Sequence, residues 1–304
     1  MFDSIQMKVS SVFIQPEILR QYNFASFTYR NQKTGVMTTF QMQDEIIPYI
    51  KYQEASGTLT IQASIPKMLY GNNVKAINES DIPIFFQRVQ ERLQLLFGIH
   101  IAHEDWRITR LDVCCNFHVG NRTGEYVRQL SKGKMPYKDT RNYNHDETVE
   151  FYNKSSRVIL YDKYKQCKRA KEPKQIIEQS KGILRLEIRP SDNDLKKYTK
   201  EKRAIHLVTH SFFTYIVKKT LEGLPYTENV ETIDYEWLLE NKKDISKIET
   251  YLAYSMIKNL FQESGIRAIY TTSTLPNRRS LAKQITIPKK EGLKRLEIVD
   301  SVQG

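Results

Sequence analysis

Three carboxylates lie in the middle of segments whose composition is typical of β-strands. Each segment holds one of them: Asp112 in RLDVCCNF, Glu150 in TVEFY and Glu187 in LRLEIR. Aspartate is disfavoured in strands, and like charges on neighbouring strands repel each other. A divalent cation held by carboxylate oxygens, as Mg²⁺ and Mn²⁺ prefer, would compensate for both costs. Such a cation would polarise a phosphoryl oxygen and stabilise charge in the transition state.

Tyrosine and lysine side chains are predicted on the same outward faces as these carboxylates. Side chains alternate along a strand, so their spacing assigns each one to a face. In TVEFY the outward residues include Glu150 and Tyr152, and in RVILYDK they include Tyr161 and Lys163. A tyrosine phenol beside a metal-bound phosphate is a potential nucleophile.

Arginines at alternate positions offer a second interpretation. Arg110, Arg185 and Arg189 share the outward faces of two of these strands, where they would pair with the carboxylates on a solvated surface without a metal. Periodicity does not separate the two interpretations. The clustering of the carboxylates is itself an inference, because strand order does not follow from the sequence.

The elements that must position these residues follow an α+β pattern. Turn residues and β-branched or aromatic runs predict strands at 24–30, 35–42, 47–53, 57–63, 106–119, 148–152, 157–163 and 183–189. Amphipathic spacing and capping residues predict helices at 64–73, 80–98, 123–133, 191–200, 206–223, 245–265 and 277–285. We therefore expect an antiparallel sheet domain flanked by helices over residues 1–225. A smaller helical region over 226–304 would serve DNA recognition or oligomerisation.

Charge and composition limit the classes of function. The chain has 304 residues, of which 40% are hydrophobic and 27% charged, which is typical of a globular protein. Its net charge is +12, and residues 151–200 hold 14 Lys/Arg against 6 Asp/Glu, a local excess of 8. A focused positive patch favours a polyanion, most commonly nucleic acid. Without a visible signal peptide, membrane helix or disulfide framework, we expect a cytoplasmic protein with no membrane partner.

Four segments occur in the order expected of rolling-circle replication initiators. They are SIPKMLYGNN (64–73), RLDVCCNF (110–117), TVEFYNKSSRVILYDKYKQ (148–166) and ILRLEIR (183–189). Over about residues 60–200 the chain resembles the phage and plasmid replication proteins related to filamentous-phage gene II protein. The resemblance extends to the Rep-trans class, which includes plasmid initiators and some conjugative-element relaxases.

The resemblance implies a Mg²⁺- or Mn²⁺-dependent enzyme that nicks and rejoins one DNA strand. A tyrosine attacks a phosphodiester at the double-strand origin, becomes linked to the 5′-phosphate and frees a 3′-OH primer. Carried over to this chain, the nucleophile is Tyr161, with Lys163 or the metal favouring loss of the phenol proton. The metal ligands are Asp112 and Glu187, with Glu150 at a position that is often not acidic in relatives.

Departures from the family pattern leave two other nucleophiles open. The usual Gly-Ser-like pair after the first strand of the long motif is Tyr152-Asn153 here, which makes Tyr152 an alternative. Tyr164, three residues beyond Tyr161, is another. Gln166 stands where relatives often carry Glu, so we assign no acid at that position.

Basic residues in and around these motifs are the predicted DNA contacts. The set comprises Lys154, Arg157, Lys165, Lys168, Arg169, Lys171, Arg110 and Arg185. They would track the backbone of a locally single-stranded origin, with aromatic residues available to stack on its bases. Family analogy alone adds a host helicase and a homodimer as candidate partners.

Three rival functions stay open on the sequence. A conjugative relaxase or a transposase would use the same chemistry in a different setting. A non-catalytic origin-binding protein would use the basic patch, with its carboxylates paired to arginine. An RNA-binding protein fits the charge but gives no reason for three mid-strand acids.

Overall fold

One antiparallel sheet of ten strands carries most of the predicted site residues. The computed structural model describes residues 1–22, 25–31, 35–144, 147–226, 233, 235–287 and 293–298. The strands are β1 Phe2–Val9, β2 Ala25–Asn31, β3 Gly35–Met42, β4 Tyr49–Gln53, β5 Thr58–Ser64, β6 Arg107–His118, β7 Asp139–Tyr143, β8 Thr148–Tyr152, β9 Arg157–Asp162 and β10 Ile183–Arg189. In space they follow the order β2-β3-β4-β5-β1-β6-β10-β9-β8-β7. The predicted α+β class with an antiparallel sheet is confirmed.

Eight strands match the predicted segments, and two were not predicted. Phe24, the first residue of the predicted strand 24–30, lies outside the described residues. β1 lies in the middle of the sheet between β5 and β6, and its pairing with β6 shifts register twice, so its alternation is interrupted. β7 is an edge strand with the sequence DTRNY, which lacks the apolar alternation that predicts strands.

Twelve helices are present in the described residues. They are α1 Pro16–Gln21, α2 Ile65–Tyr70, α3 Asp81–Phe97, α4 Thr123–Ser131, α5 Lys163–Arg169, α6 Lys174–Gln179, α7 Asp192–Tyr198, α8 Ala204–Leu207, α9 His210–Glu222, α10 Tyr235–Glu240, α11 Ile245–Ile269 and α12 Thr274–Gln284. The predicted helix 206–223 is divided at Thr209, whose extended backbone and side-chain bond to the Phe212 amide begin α9 instead.

Apolar side chains on one face of the sheet form the core beneath the predicted site. Leu160, Val149 and Leu186 are fully buried on that face. Helix α4 packs against β8 and β9 and buries Val127 and Leu130. Burying one such side chain contributes about 1.5–3 kcal/mol. The opposite face of the same strands is therefore left to carry the polar residues.

The chain divides into two compact units. One holds Met1–Tyr226 together with the segment that begins at Arg295, and the other lies within Thr227–Lys294. The second unit is helical, and Tyr254, Ile266 and Leu275 form its buried cluster. A division of function near residue 225 stays a prediction. No helix in the described part of the chain combines the length and hydropathy that a membrane span requires.

Candidate active site

The pairing register gives the predicted site strands one common polar face. Residues opposite each other in antiparallel strands project to the same side of a sheet. Glu187 lies opposite Cys114 of β6 and opposite Ile159 of β9, and Ile159 lies opposite Glu150 of β8. Asp112 precedes Cys114 by two residues and shares the face by alternation. The faces predicted from alternation are confirmed for these carboxylates.

The three carboxylates are unequally spaced on this face. Asp112 and Glu187 hold diagonal positions on neighbouring strands, which are about 7–8 Å apart in an antiparallel pair. Glu150 is two strands from Glu187, about 9–10 Å at ordinary strand spacing, and Ile159 lies between them. In the described part of the chain, no three His, Cys, Asp or Glu side chains stand close enough to hold a metal. The register therefore groups Asp112 with Glu187 and sets Glu150 apart.

The part of this face nearest the start of β10 is largely covered by other parts of the chain. We call it the covered end, which consists of Asn73, Asn116, Tyr161, Lys163 and Arg185. The Arg185 side chain is fully buried, and its guanidinium donates to four acceptors. These are the Asn73 carbonyl oxygen at 2.6 Å, Glu187 Oε1 at 3.1 Å, Asp3 Oδ1 at 3.1 Å and Asn116 Oδ1 at 3.3 Å. A buried charge requires such pairing, so Arg185 and the Glu187 carboxylate fix each other in place.

A small apolar cluster explains why these polar groups are out of water. Val74, Cys167 and Ile183 are buried together, and Ile176 and Ile177 pack against them. Ile183 begins β10, Cys167 lies on α5, and Val74 belongs to the segment that follows α2. The cluster therefore holds that segment against the polar face of the sheet.

Tyr161 lies at the boundary of the covered end. Its side chain is 7% exposed, and its hydroxyl donates to Glu187 Oε1 at 2.6 Å. Burial and the Glu187 carboxylate raise the pKa of Tyr161 well above its usual value. The phenol is therefore protonated at neutral pH, and the hydrogen-bonded carboxylate is the group positioned to accept its proton.

Lys163 lies beside the ring of Tyr161 and bonds elsewhere. Its ammonium nitrogen is 5.9 Å from the Tyr161 ring centroid and donates to Asn73 Oδ1 at 2.9 Å and Gln166 Oε1 at 2.8 Å. Burial and the charge of Arg185 lower the pKa of Lys163. Lys163 therefore contributes positive charge near the phenol and holds the segment around Asn73.

Asp162 turns the chain between Tyr161 and Lys163. Its carboxylate accepts the Lys165 amide at 3.1 Å and the Thr123 hydroxyl at 2.7 Å. An aspartate at this position caps the first turn of a helix, so the predicted strand 157–163 ends at Asp162 and α5 begins at Lys163. The cap fixes the directions in which Tyr161 and Lys163 leave the backbone.

The other end of the same strands is open to solvent. We call it the open end, which consists of Arg110, Asp112, Arg157 and Arg189. Asp112 accepts Arg189 Nε at 2.9 Å and Arg110 Nε at 3.1 Å. The side chains of Arg110, Arg189 and Arg157 are 31%, 36% and 52% exposed. Two partly exposed guanidinium groups therefore hold a largely buried carboxylate at this end, and Arg157 lies opposite Arg189 on the neighbouring strand.

Each mid-strand carboxylate has at least one arginine partner. Asp112 pairs with Arg110 and Arg189, Glu187 pairs with Arg185, and Glu150 pairs with Arg157 at 3.5 Å. The arginine interpretation of the sequence is correct for the pairing of Asp112 with Arg110 and Arg189 and of Glu187 with Arg185. Its expectation of a solvated surface is wrong, because Arg185, Asp112 and Glu150 are buried.

The two alternative nucleophiles lie in different surroundings. The Tyr152 hydroxyl accepts a hydrogen bond from Arg141 at 3.0 Å, and that guanidinium lies 4.6 Å from the ring centroid. Tyr164 lies on α5, with the Lys168 ammonium 4.4 Å from its ring centroid. Among the three tyrosines, the one whose hydroxyl donates to a carboxylate is Tyr161.

A family comparison covers this site except for Asp3 of β1. The chain matches the family described as the N-terminal region of the gene II type replication-associated protein over residues 29–213, more than half of its length. This chain belongs to that family. Its members are phage rolling-circle replication initiators related to gene II protein, and they are nicking enzymes. No curated protein matches the chain.

The predicted DNA contacts of the initiator fall in separate places. Arg110 and Arg157 lie at the open end, and Lys154 is exposed in the turn between β8 and β9. Lys165, Lys168, Arg169 and Lys171 lie on or just after α5, beyond the other end of β9. Arg185 is buried and its guanidinium donates to protein acceptors, so we do not propose it as a DNA contact.

Three residues of the site were not predicted. Asp3 comes from β1, a strand whose interrupted alternation hides it. Asn116 shares the outward alternation of RLDVCCNF, so the spacing that assigned Asp112 would also have found it. Asn73 ends the segment SIPKMLYGNN. The family resemblance pointed to this segment, but the spacing of its residues did not predict a role for Asn73.

The residues present suit a divalent cation that takes only one or two ligands from the protein. Mg²⁺ commonly uses one or two carboxylates and completes its shell with waters and substrate phosphates. Asp112 and Glu187 are such a pair on neighbouring strands, and the described residues offer no all-protein cage around them. Because both carboxylates hold arginine, a bound cation would compete with those guanidinium contacts.

Proposed function

We propose that this initiator nicks one strand of its origin with Tyr161 as the nucleophile. The observation that carries the proposal is the 2.6 Å hydrogen bond from the Tyr161 hydroxyl to Glu187 Oε1. An activated nucleophile is recognised by a base within hydrogen-bond reach and a third group that orients the base. Here the third group is Arg185, which donates to the same oxygen at 3.1 Å.

The nicking step moves one proton to Glu187 and exchanges one bond at phosphorus. Glu187 takes the hydroxyl proton of Tyr161, and the phenolate oxygen attacks the phosphorus in line with the leaving 3′ oxygen. The P–O3′ bond breaks as the bond to tyrosine forms, and the 3′ oxygen takes a proton from solvent. The products are a 5′-phosphotyrosine link and the 3′-OH that primes replication. Rejoining is the reverse step, in which Glu187 returns the proton to Tyr161.

Residues of the protein bind the DNA backbone and orient the reacting groups. Arg157 and Arg189 lie at the open end and bind phosphates that flank the scissile one through charge-assisted hydrogen bonds. Arg185 keeps the Glu187 carboxylate directed at the phenol. A divalent cation held by Asp112 and Glu187 would supply charge neutralisation at the phosphate oxygens.

A nicking assay on supercoiled DNA of the replicon that encodes the chain tests the proposal. With Mn²⁺ or Mg²⁺, the wild-type chain is expected to give nicked circles and a covalent protein–DNA adduct. Tyr161→Phe lacks the attacking oxygen, so both products should be absent. Tyr152→Phe and Tyr164→Phe are the matched controls and should keep both. An adduct in Tyr161→Phe would overturn the assignment of Tyr161 as the nucleophile. A wild-type chain that gives neither product would overturn the proposed nicking activity.

A non-catalytic origin-binding protein is the second candidate function. The arginine partners of all three carboxylates favour it, because such pairs neutralise the acids without a metal. This candidate predicts that origin DNA is retained without any adduct and that Mn²⁺ does not change the outcome. The nicking assay therefore decides between the two.

A further inference from the structure

Tyr137 is presented to solvent from the loop between α4 and β7. Its side chain is 95% exposed, more than any other large apolar or aromatic side chain in the described residues. Its backbone is left-handed, with φ of 60°, a conformation that costs free energy for a bulky residue. Met135, two residues earlier, is buried and anchors the loop. The chain thus keeps an aromatic ring in water on a strained backbone, and outliers of this kind cluster at functional sites.

Two hydrogen bonds tie this loop to the turn between β8 and β9. The Tyr137 carbonyl oxygen accepts Asn153 Nδ2 at 3.1 Å, and the Lys138 ammonium donates to the Ser156 hydroxyl. The turn leads directly into Arg157, which belongs to the open end. Tyr137 is therefore attached to the part of the sheet where the flanking phosphates are proposed to bind.

The charge around Tyr137 suits a polyanion. Four lysines lie on the loop and on the attached turn: Lys132, Lys134, Lys138 and Lys154. Asp139 is the acidic residue that follows the loop. Exposed aromatic rings between basic side chains are typical of surfaces that bind single-stranded nucleic acid, because each base has a face on which a ring can stack.

We propose that Tyr137 stacks on an unpaired base of the strand held at the open end. The ligand is single-stranded DNA next to the nick. Bases within a duplex are already stacked on each other, so the ring offers little to a duplex. This inference rests on the proposed function for the position of the strand, and its test measures binding without cleavage.

The test uses the full-length chain with a chelator, so that no strand is cut. The probe is a fluorescein-labelled single strand of about 10 nucleotides, a length within one ordinary binding site, and the same sequence as a duplex. Tyr137→Asn removes the ring and keeps a residue that tolerates the left-handed backbone. We expect about tenfold weaker binding of the single strand and less than about twofold change for the duplex. Tyr137→Phe should bind as the wild type does.

Phe13→Asn is the matched control, because Phe13 is 75% exposed and lies between β1 and α1. It should leave both affinities unchanged. The proposal is overturned if Tyr137→Asn weakens the duplex as much as the single strand, or if neither affinity changes. Nicking is measured in a separate assay. If the wild-type chain does not nick DNA but Tyr137→Asn still loses single-strand affinity, the proposed function is wrong and the stacking role of Tyr137 is retained.

Discussion

The covered end and the open end lie on the same face of the same strands and differ in what surrounds their charges. Arg185 and Arg189 show the contrast within β10. Arg185 is fully buried and donates to four protein acceptors, whereas Arg189 is 36% exposed and bonds to Asp112. The difference comes from the segment after α2, which reaches over one end of the face and leaves the other to solvent.

This contrast separates two tasks that the sequence alone mixes together. At the covered end, the hydrogen bonds of Arg185 to protein acceptors fix the directions of Tyr161 and Glu187, and they leave its guanidinium committed to the protein and not to DNA. At the open end, arginines that keep part of their surface in water can exchange a carboxylate for a DNA phosphate. Alternation places both sets on one face, but exposure decides which arginine positions a catalytic group and which one binds substrate.

Substitution of Arg185 should lower the free energy of unfolding, because it removes the cation of the covered end. Arg185→Met leaves the carboxylates of Asp3 and Glu187 largely buried without their shared cation, which typically costs about 3–5 kcal/mol. Urea unfolding followed by circular dichroism measures the loss of free energy of unfolding. Arg189→Met at the open end is the control and should cost less than about 1 kcal/mol. Equal losses for the two variants would contradict the division into two ends.

Removal of the proposed base should slow nicking and change its pH dependence. Glu187→Gln is expected to reduce the nicking rate about 100-fold. Without Glu187, one cause of the raised pKa of Tyr161 disappears, but its proton must pass to hydroxide. The variant rate should therefore rise about tenfold per pH unit between about pH 7 and about pH 9, where the wild-type rate stays nearly flat. Parallel pH profiles would exclude Glu187 as the base.

Loss of an open-end arginine should weaken DNA binding without unfolding the chain. Arg189→Gln is expected to reduce affinity for origin DNA about tenfold and to lower the slope of log affinity against log salt by about 1. Lys165→Gln on α5 should have a smaller effect, because Lys165 lies beyond the other end of β9, away from the open end where the DNA backbone is proposed to bind. Fluorescence anisotropy at several salt concentrations measures both. A larger effect for Lys165→Gln would move the DNA path to α5.

Neutralising the carboxylate of the open end should strengthen DNA binding when no metal is present. Asp112→Asn removes the charge that holds Arg110 and Arg189, so both can bind phosphates, and affinity should rise roughly fivefold. Asp244→Asn makes the same change in net charge at an ion pair with Lys247 and should have little effect. If the two variants behave alike, Asp112 does not restrain the arginines.

Local pattern predicted the sheet faces well and the contacts of the covered end poorly. Alternation was enough for Asp112, Glu150 and Glu187, because a strand's faces depend only on its own residues. The partners of Arg185 come from three other places, including Asp3 on β1 and Asn73 after α2, and no local pattern reports such contacts. The burial of Lys163 was hidden for the same reason, since it depends on the cap at Asp162 and on the segment that holds Asn73.

The central claim is that Tyr161 becomes bonded to DNA, and trypsin can locate the bond. Cleavage after lysine and arginine separates the three tyrosines: Tyr161 falls in Val158–Lys163, Tyr152 in Asn142–Lys154 and Tyr164 in the dipeptide Tyr164–Lys165. After nicking in Mn²⁺ and nuclease trimming, mass spectrometry should find a nucleotide on Val158–Lys163. A nucleotide on either other peptide, or none on any peptide, would contradict the account.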